Sequence, residues 1–265
     1  MKKYLPIVII ASVLLLIVGG VIIFLKGKKP TEPPKIPEKL APEWTLEERP
    51  YITLTPREDG REFKMRIEGI KETKLVDYEL IYFSNEISRG VTGSIDLGGG
   101  TMIEKDLLLG SCSKNVCKYD ENVTEGSLSL RFQNSEGKVR KYELAFHLQK
   151  GEDGQVGLTS GDGNFSFQGK LPADQYYLTL YTVGLPGQVQ GKLVAGPYGI
   201  FTGASQKTTG KINLKPSEAT EKVKVLGWDS INKTWKEYQE GLKMSEKVIS
   251  VEVNLLTTFI VVASE

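Results

Sequence analysis

The 265-residue chain reads as all-β: two tandem β-sandwich domains preceded by a single N-terminal transmembrane helix and a Pro-rich linker. Three observations predict this. Apolar and polar residues alternate with a period of two in both halves of the chain beyond residue 43. No segment of that region has a helical period. One uncharged apolar run of 21 residues, Leu5 to Leu25, stands ahead of it. With 40% apolar and 25% charged residues the composition is that of a globular chain, not a disordered or collagen-like one.

The first element is the apolar run. At 1.5 Å per residue it forms about 31 Å of helix, the thickness of the hydrocarbon core. A cleaved signal peptide has a shorter apolar stretch followed by a small-residue cleavage site. This run continues to Phe24-Leu25 and meets Lys26, which predicts an uncleaved anchor over 5–25 with a cytoplasmic tail at 1–4. Lys2 and Lys3 before it balance Lys26, Lys28 and Lys29 after it, so flanking charge does not set the orientation. A short N-terminal tail with everything else downstream is the layout of a signal anchor whose C-terminal domains are extracytoplasmic. The first expected partner is therefore the lipid bilayer.

Six of the twelve prolines lie between Pro30 and Pro50. Residues 26–43 are read as a linker, which in polyproline II would reach roughly 50 Å from the membrane.

Residues 44–150 hold the first sandwich. Phe63-Lys64-Met65-Arg66-Ile67-Glu68 puts its apolar side chains on one face and its charges on the other. The same alternation recurs at Ile52 to Leu54, Val76 to Tyr82, Leu128 to Phe132 and Tyr142 to Leu148. Val91 to Leu97 and Met102 to Leu109 add two strands, separated by Gly98-Gly99-Gly100, and Asn134-Ser135-Glu136-Gly137 supplies a hairpin turn. Seven short strands without a helix indicate a β-sandwich. His147, the one imidazole in the chain, falls on the solvent face of its strand. Cys112 and Cys117, with four residues between them and lying between two strands, suit a disulfide that clips a hairpin loop. The spacing fits neither a redox CxxC nor a zinc knuckle, and a disulfide fits an oxidising compartment.

Residues 151–265 hold the second. Thirteen of the 28 glycines lie between Gly151 and Gly210, which places the boundary at Lys150. Gly161 to Phe167 and Leu171 to Leu180 read as strand, turn, strand. Val223 to Trp228, a turn at Asp229 to Asn232, Thr234-Trp235, Val248 to Val253 and Thr257 to Val262 complete the domain. Asp162 and Asn164 fall in a turn, with too few neighbouring carboxylates for calcium.

These patterns resemble membrane-anchored bacterial surface proteins. The strand pattern of 44–150 resembles immunoglobulin-like and fibronectin type III-like modules. The Leu-Pro turn followed by Tyr176-Tyr177-Leu178 resembles prealbumin-like modules, with Gln175 where that family has Gly. The resemblance implies a contact function without catalysis.

Inventory points the same way. One His, two Cys and no acid cluster leave no metal site and no nucleophile constellation to assemble, and no cofactor is expected. Residues 44–150 carry 16 basic against 18 acidic side chains and residues 151–265 carry 11 against 12, which excludes a nucleic-acid binder. Expected instead is a non-catalytic envelope or cell-surface protein, structural or adhesive, with a protein or glycan partner. The alternative is a carbohydrate-binding accessory protein, with Trp228 and Trp235 as ligand-stacking rings. Cross-strand packing of that pair is the competing account. A hydrolase using Asp162 and a distant carboxylate is the enzyme-class reading, set below both.

Overall fold

The computed structural model describes residues 38–114, 116–152, 156–220, 222–245 and 247–264. The expected membrane span 5–25 and linker residues 26–37 lie outside the described residues. Those described are all-β, without a helix.

In the first half the strands are β1 (Tyr51–Pro56), β2 (Glu62–Glu68), β3 (Leu75–Ser84), β4 (Ile87–Asp96), β5 (Met102–Leu108), the short β6 (Gly110–Ser113) and β7 (Val116–Tyr119), β8 (Val123–Gln133) and β9 (Val139–Lys150). The second half supplies β10 (Val156–Thr159), β11 (Phe165–Lys170), β12 (Tyr176–Tyr181), β13 (Leu193–Phe201), β14 (Lys207–Leu214), β15 (Val223–Asp229), β16 (Thr234–Tyr238), β17 (Lys243–Met244), β18 (Ile249–Leu255) and β19 (Thr258–Ala263). Every strand called from alternation is present. The additional strands β10, β13, β14 and β17 carry weak signals for physical reasons. β10 and β17 are too short to show a period. β13 contains Gly196-Pro197, and its ladder with β19 slips between Leu193 and Ala195 and again between Ala195 and Tyr198. Bulges of this kind admit Gly and Pro into a strand.

Nine strands form one antiparallel sheet in the order β16-β15-β19-β13-β12-β9-β8-β3-β4. The ladder does not stop at the compositional boundary, because Tyr176 of β12 lies opposite Lys150, the last residue of β9. Two smaller sheets, β1-β2-β5 and β10-β11-β14-β18-β17, cover it. They lie on opposite faces, as β12 shows residue by residue. Leu178 and Leu180 enter the first core with Phe63, Phe132 and Phe146. Tyr177, on the other side of the same strand, enters the second core with Phe165, Tyr198 and Phe259. Thr179 is fully buried on that side too, and its hydroxyl donates to Thr159 O at 2.7 Å. A strand buried on both faces loses its apolar-polar alternation, and Tyr-Tyr-Leu-Thr-Leu-Tyr has none.

This arrangement corrects the place of His147. It is half-buried, not free in solvent, because β10 passes over it and puts Thr159 O 3.1 Å from its Nδ1. The fold also starts earlier than the linker boundary. Val139 turns its backbone away from β8, donates to Lys39 O at 2.9 Å and accepts from Ala41 N at 3.0 Å. Trp44 is buried against Phe132, under the Arg140 guanidinium 4.4 Å above its ring. Residues 39–43 are thus docked, since those Val139 groups would otherwise lack partners.

Cys112 and Cys117 are joined by a disulfide and sit opposite each other in the β6-β7 ribbon. Its described side chains are exposed apart from Gly110 at its base. A two-stranded ribbon is marginal in water without further packing; beyond the arginines Arg57 and Arg61 over the Tyr119 ring at its base, the cross-link is what orders it. Cys112→Ser with Cys117→Ser is expected to cost about 2 kcal/mol, the loop-closure value for so short a ring. The loss should be confined to the ribbon: amide exchange should rise at 111–119 and stay unchanged in β3, β8 and β9.

Candidate functional site

The site is built by the corner where the chain leaves β12. Ile52 N–H of β1 donates to Thr182 O at 3.1 Å, tying the edge of the first small sheet to this corner. Gly184 N–H donates back to Thr182 O at 2.8 Å across Val183, whose φ is 65°. This is a γ-turn of the rarer, strained hand with a β-branched residue at its centre. The Thr182 hydroxyl closes it further with a 3.0 Å bond to Gly184 O. The turn sends residues 185–187 over the outer face of the β15-β16 hairpin.

On that face Trp228 and Trp235 lie opposite each other in register, edge to face, with centroids 5.3 Å apart and planes at 67°. Gly187 lies against the Trp228 ring so closely that a Cβ there would come within 2.7 Å of it. Its carbonyl accepts from Trp235 Nε1 at 3.3 Å. The hairpin is held near its turn. The Thr257 hydroxyl donates to Trp228 O at 2.6 Å. At its turn the Asp229 carboxylate accepts from Ile231 N, Asn232 N and Asn232 Nδ2. Hydrogen bonds from Asn232 hold the Asp229 carboxyl below its ordinary range.

Beside the Trp228 ring opens a cleft of about 500 Å³. Tyr51, Thr53, Arg66 and Glu68 of β1 and β2 line one side, and Pro186, Phe201, Gln206, Trp228, Ser230, Lys233 and Thr257 the other. Tyr51 shares a 2.7 Å hydrogen bond with Thr258, and burial pushes its phenol well above the usual range. Arg66 Nε and Glu68 are paired at 2.5 Å, so their charges cancel locally. Among the described residues, the side chains of Thr53, Gln206, Ser230 and Lys233 have no polar partner. The cleft therefore presents an aromatic plane beside neutral donors and acceptors and the Lys233 ammonium, in the size range of small-ligand sites.

The two tryptophans expected to stack on a ligand are thus together but not equivalent. Trp228 lines the cleft, whereas Trp235 spends its N–H on Gly187. Three tyrosines near these segments in sequence do not join them. Tyr177 is buried in the second core, Tyr238 packs on Phe259 at 6.0 Å, and Tyr176 covers Gly60. Arg66, Glu68 and Thr53, more than 100 residues from Trp228, and Gln206, 22 residues from it, were not legible as site residues, since only the folded arrangement brings them to Trp228 and no local motif marks them.

Asp162 is a structural residue of the β10-β11 turn. Its carboxylate accepts from Ser160 Oγ at 2.6 Å, from the Tyr198 hydroxyl, and from Asn164 N and Nδ2 at 3.0 and 3.1 Å. Burial would raise its pKa, but these donors outweigh burial and hold it below the ordinary value. With the folded pKa depressed, the group stabilises the fold above its unfolded pKa of about 3.9. That contribution is lost as pH falls through the folded value. Denaturation midpoints followed from pH 5 down to pH 2 should therefore drop less steeply in Asp162→Asn than in the unsubstituted chain.

A second depression, of about 380 Å³, is lined by Asp59, Asp120 and Lys150 among others. Three of its charges are occupied: Asp59 by Arg57, Asp120 by Tyr82 and Arg89, Lys150 by Asp174. Comparison with protein-family models, with curated proteins and with solved structures returned no match.

Proposed function

We propose that the chain is a non-catalytic envelope or cell-surface protein, anchored by residues 5–25, that displays two β-sandwich modules outside the cytoplasm and acts by contact. The observation that supports this best is the β6-β7 ribbon. It adds nothing to either core, yet it is ordered by a disulfide, the cross-link of an oxidising compartment. It carries Val116, 68% exposed, beside Lys114 and Lys118. An element ordered outside both cores, with only Tyr119 at its base packed against Arg57 and Arg61, is an element for presentation. The test is protease and thiol labelling of intact cells that make the full chain. A membrane-impermeant maleimide should label Cys112 and Cys117 only after external reduction, and external protease should digest the domains. Thiols that label without reduction, and only after lysis, would refute the reading.

The second reading is a glycan site, favoured by the cleft at Trp228. A flat ring beside neutral hydroxyl and amide groups suits the apolar face and hydroxyl rim of a neutral sugar. Trp228→Ala should then abolish binding of neutral oligosaccharides on a glycan array. Trp235→Phe, which removes the bond to Gly187 and part of the edge-to-face contact with Trp228, should reduce binding less than tenfold. Equal binding by unsubstituted chain and Trp228→Ala would dismiss this reading.

A further inference from the structure

We propose that β4 is a self-association edge, through which two copies of this chain pair antiparallel about a twofold axis at Val91. Among the described residues the large sheet ends at β16 on one side and at β4 on the other, and β4 is hydrogen-bonded to β3 alone. Edge strands are normally shortened, charged or covered, because their unpaired backbone groups template further pairing. Every other edge of the three main sheets follows that rule. β16 has five residues and bears Lys236 and Glu237, β10 has four residues and β17 two. β5 carries three successive charges, Glu104, Lys105 and Asp106, and β1 is capped by Thr182. β4 has ten residues, no Pro, no Lys and no bulge in its ladder with β3. Its charges are Arg89 and, at the last position, Asp96.

The backbone parity of this edge is fixed. The Asn85-Glu86 turn, with both φ positive, closes a two-residue hairpin on the pair Ser84 and Ile87, and Leu97 N–H donates to Lys74 O at 2.9 Å. Odd-numbered residues of β4 therefore bond β3, and Ser88, Gly90, Thr92 and Ser94 turn their N–H and C=O groups outward. An antiparallel copy can bond only where outward residues face outward residues, so the numbers of opposed residues must sum to an even value.

The sequence selects one such sum. Ile87-Ser88-Arg89-Gly90-Val91-Thr92-Gly93-Ser94-Ile95 is nearly palindromic about Val91. Pairing on that centre opposes Ile87 to Ile95, Ser88 to Ser94, Gly90 to Thr92 and Val91 to itself, and sets Arg89 beside Gly93, over which the Tyr78 ring of β3 lies. On the face toward the first core this joins apolar side chains that the free chain leaves partly or largely exposed: Ile87 is 55% exposed, and Val91 and Ile95 are half-buried. The backbone supplies on the order of eight hydrogen bonds, two for each opposed outward pair. The geometry thus assigns the edge to a second copy of the chain, whose own β4 is its complement.

The test uses the full chain in detergent micelles. Light scattering should give a dimer, and Thr92→Pro should weaken it at least tenfold. Proline is tolerated at an edge position whose N–H faces away from the sheet, so the melting temperature of that variant should stay within a few degrees. Val91→Cys should form an intermolecular disulfide under mild oxidation, since its counterpart would lie about 4.5 Å away between Cα atoms. Ser88→Cys mixed with Ser94→Cys should cross-link, but Ser88→Cys alone should not, its copies being separated by roughly 20 Å along the strands. A monomeric unsubstituted chain overturns the proposal, as does a Thr92→Pro dimer of unchanged affinity, which would place the contact elsewhere, for example in residues 5–25. Cross-linking of Ser88→Cys alone as readily as the mixture overturns the register.

Discussion

Leu180→Ala is expected to destabilise both halves of the fold together, by about 2–5 kcal/mol, in a single transition. Leu180 is fully buried in the first core, where truncation leaves a void. Its strand is shared. Tyr177 and Thr179 of β12 are buried on the opposite face, and β12 is hydrogen-bonded to β9 on one side and β13 on the other. A strand sealed between two cores cannot leave one without opening the other. Amide exchange under mild denaturant should therefore accelerate in β15 and β19, which contribute no residue to the first core, in step with β3 and β8. If the halves behaved as separate beads on a string, the first-half amides would respond and those of β15 and β19 would keep their protection. The same experiment decides whether the composition change at Lys150 is a boundary in energy as well as in sequence.

Much of this fold was legible because alternation reports burial on one face. Phe63-Lys64-Met65-Arg66-Ile67-Glu68 faces the first core with Phe63, Met65 and Ile67 and leaves Lys64 and Arg66 to pair with Glu104 at 3.2 and 3.6 Å. The disulfide and the Asp162 turn were legible because both are local. What alternation cannot report is the partner of a strand. Nothing in Lys150 or Tyr176 marks them as opposed, so one sheet running through both halves was out of reach. Nor does period mark a strand interrupted by Gly196-Pro197, or a docked segment such as Lys39 to Ala41 that satisfies one residue of an edge. The site divides in the same way. Trp228 and Trp235 flank a short turn and were found as a pair. The side chains facing Trp228 across the cleft come from β2, some 160 positions earlier, and the carbonyl that occupies Trp235 comes from a loop whose path depends on one strained turn.

That turn is where a single methyl group should do most damage. In Gly184→Ala the new Cβ would lie 2.2 Å from Arg49 O and 2.6 Å from Pro50 O, both backbone atoms that no rotamer change can move aside. The Arg49-Pro50 segment would have to shift by roughly 1 Å, the distance by which the contact falls short of ordinary van der Waals separation. Doing so breaks the Ile52 to Thr182 bond that joins β1 to the corner. The expected loss is about 3 kcal/mol, the upper range for overpacking, and it should carry a signature at the site. With residues 185–187 displaced, Gly187 withdraws from both rings, and tryptophan emission in the native baseline should move to longer wavelength. Two comparisons separate this from a general intolerance of the glycines. Gly157→Ala, where the nearest atom is 3.8 Å away and φ is ordinary, should be silent within about 0.5 kcal/mol. Val183→Gly relieves a positive φ costing on the order of 1–3 kcal/mol but gives up a side chain 3% exposed, worth about 1.5–3 kcal/mol. Those terms nearly cancel, so Val183→Gly should fall close to the unsubstituted chain in stability while Gly184→Ala, one residue on, falls far below it. Equal melting temperatures for the two variants would mean that the corner yields to the added methyl, and that loop 185–187 is set by its contact with Trp228 and not by the turn.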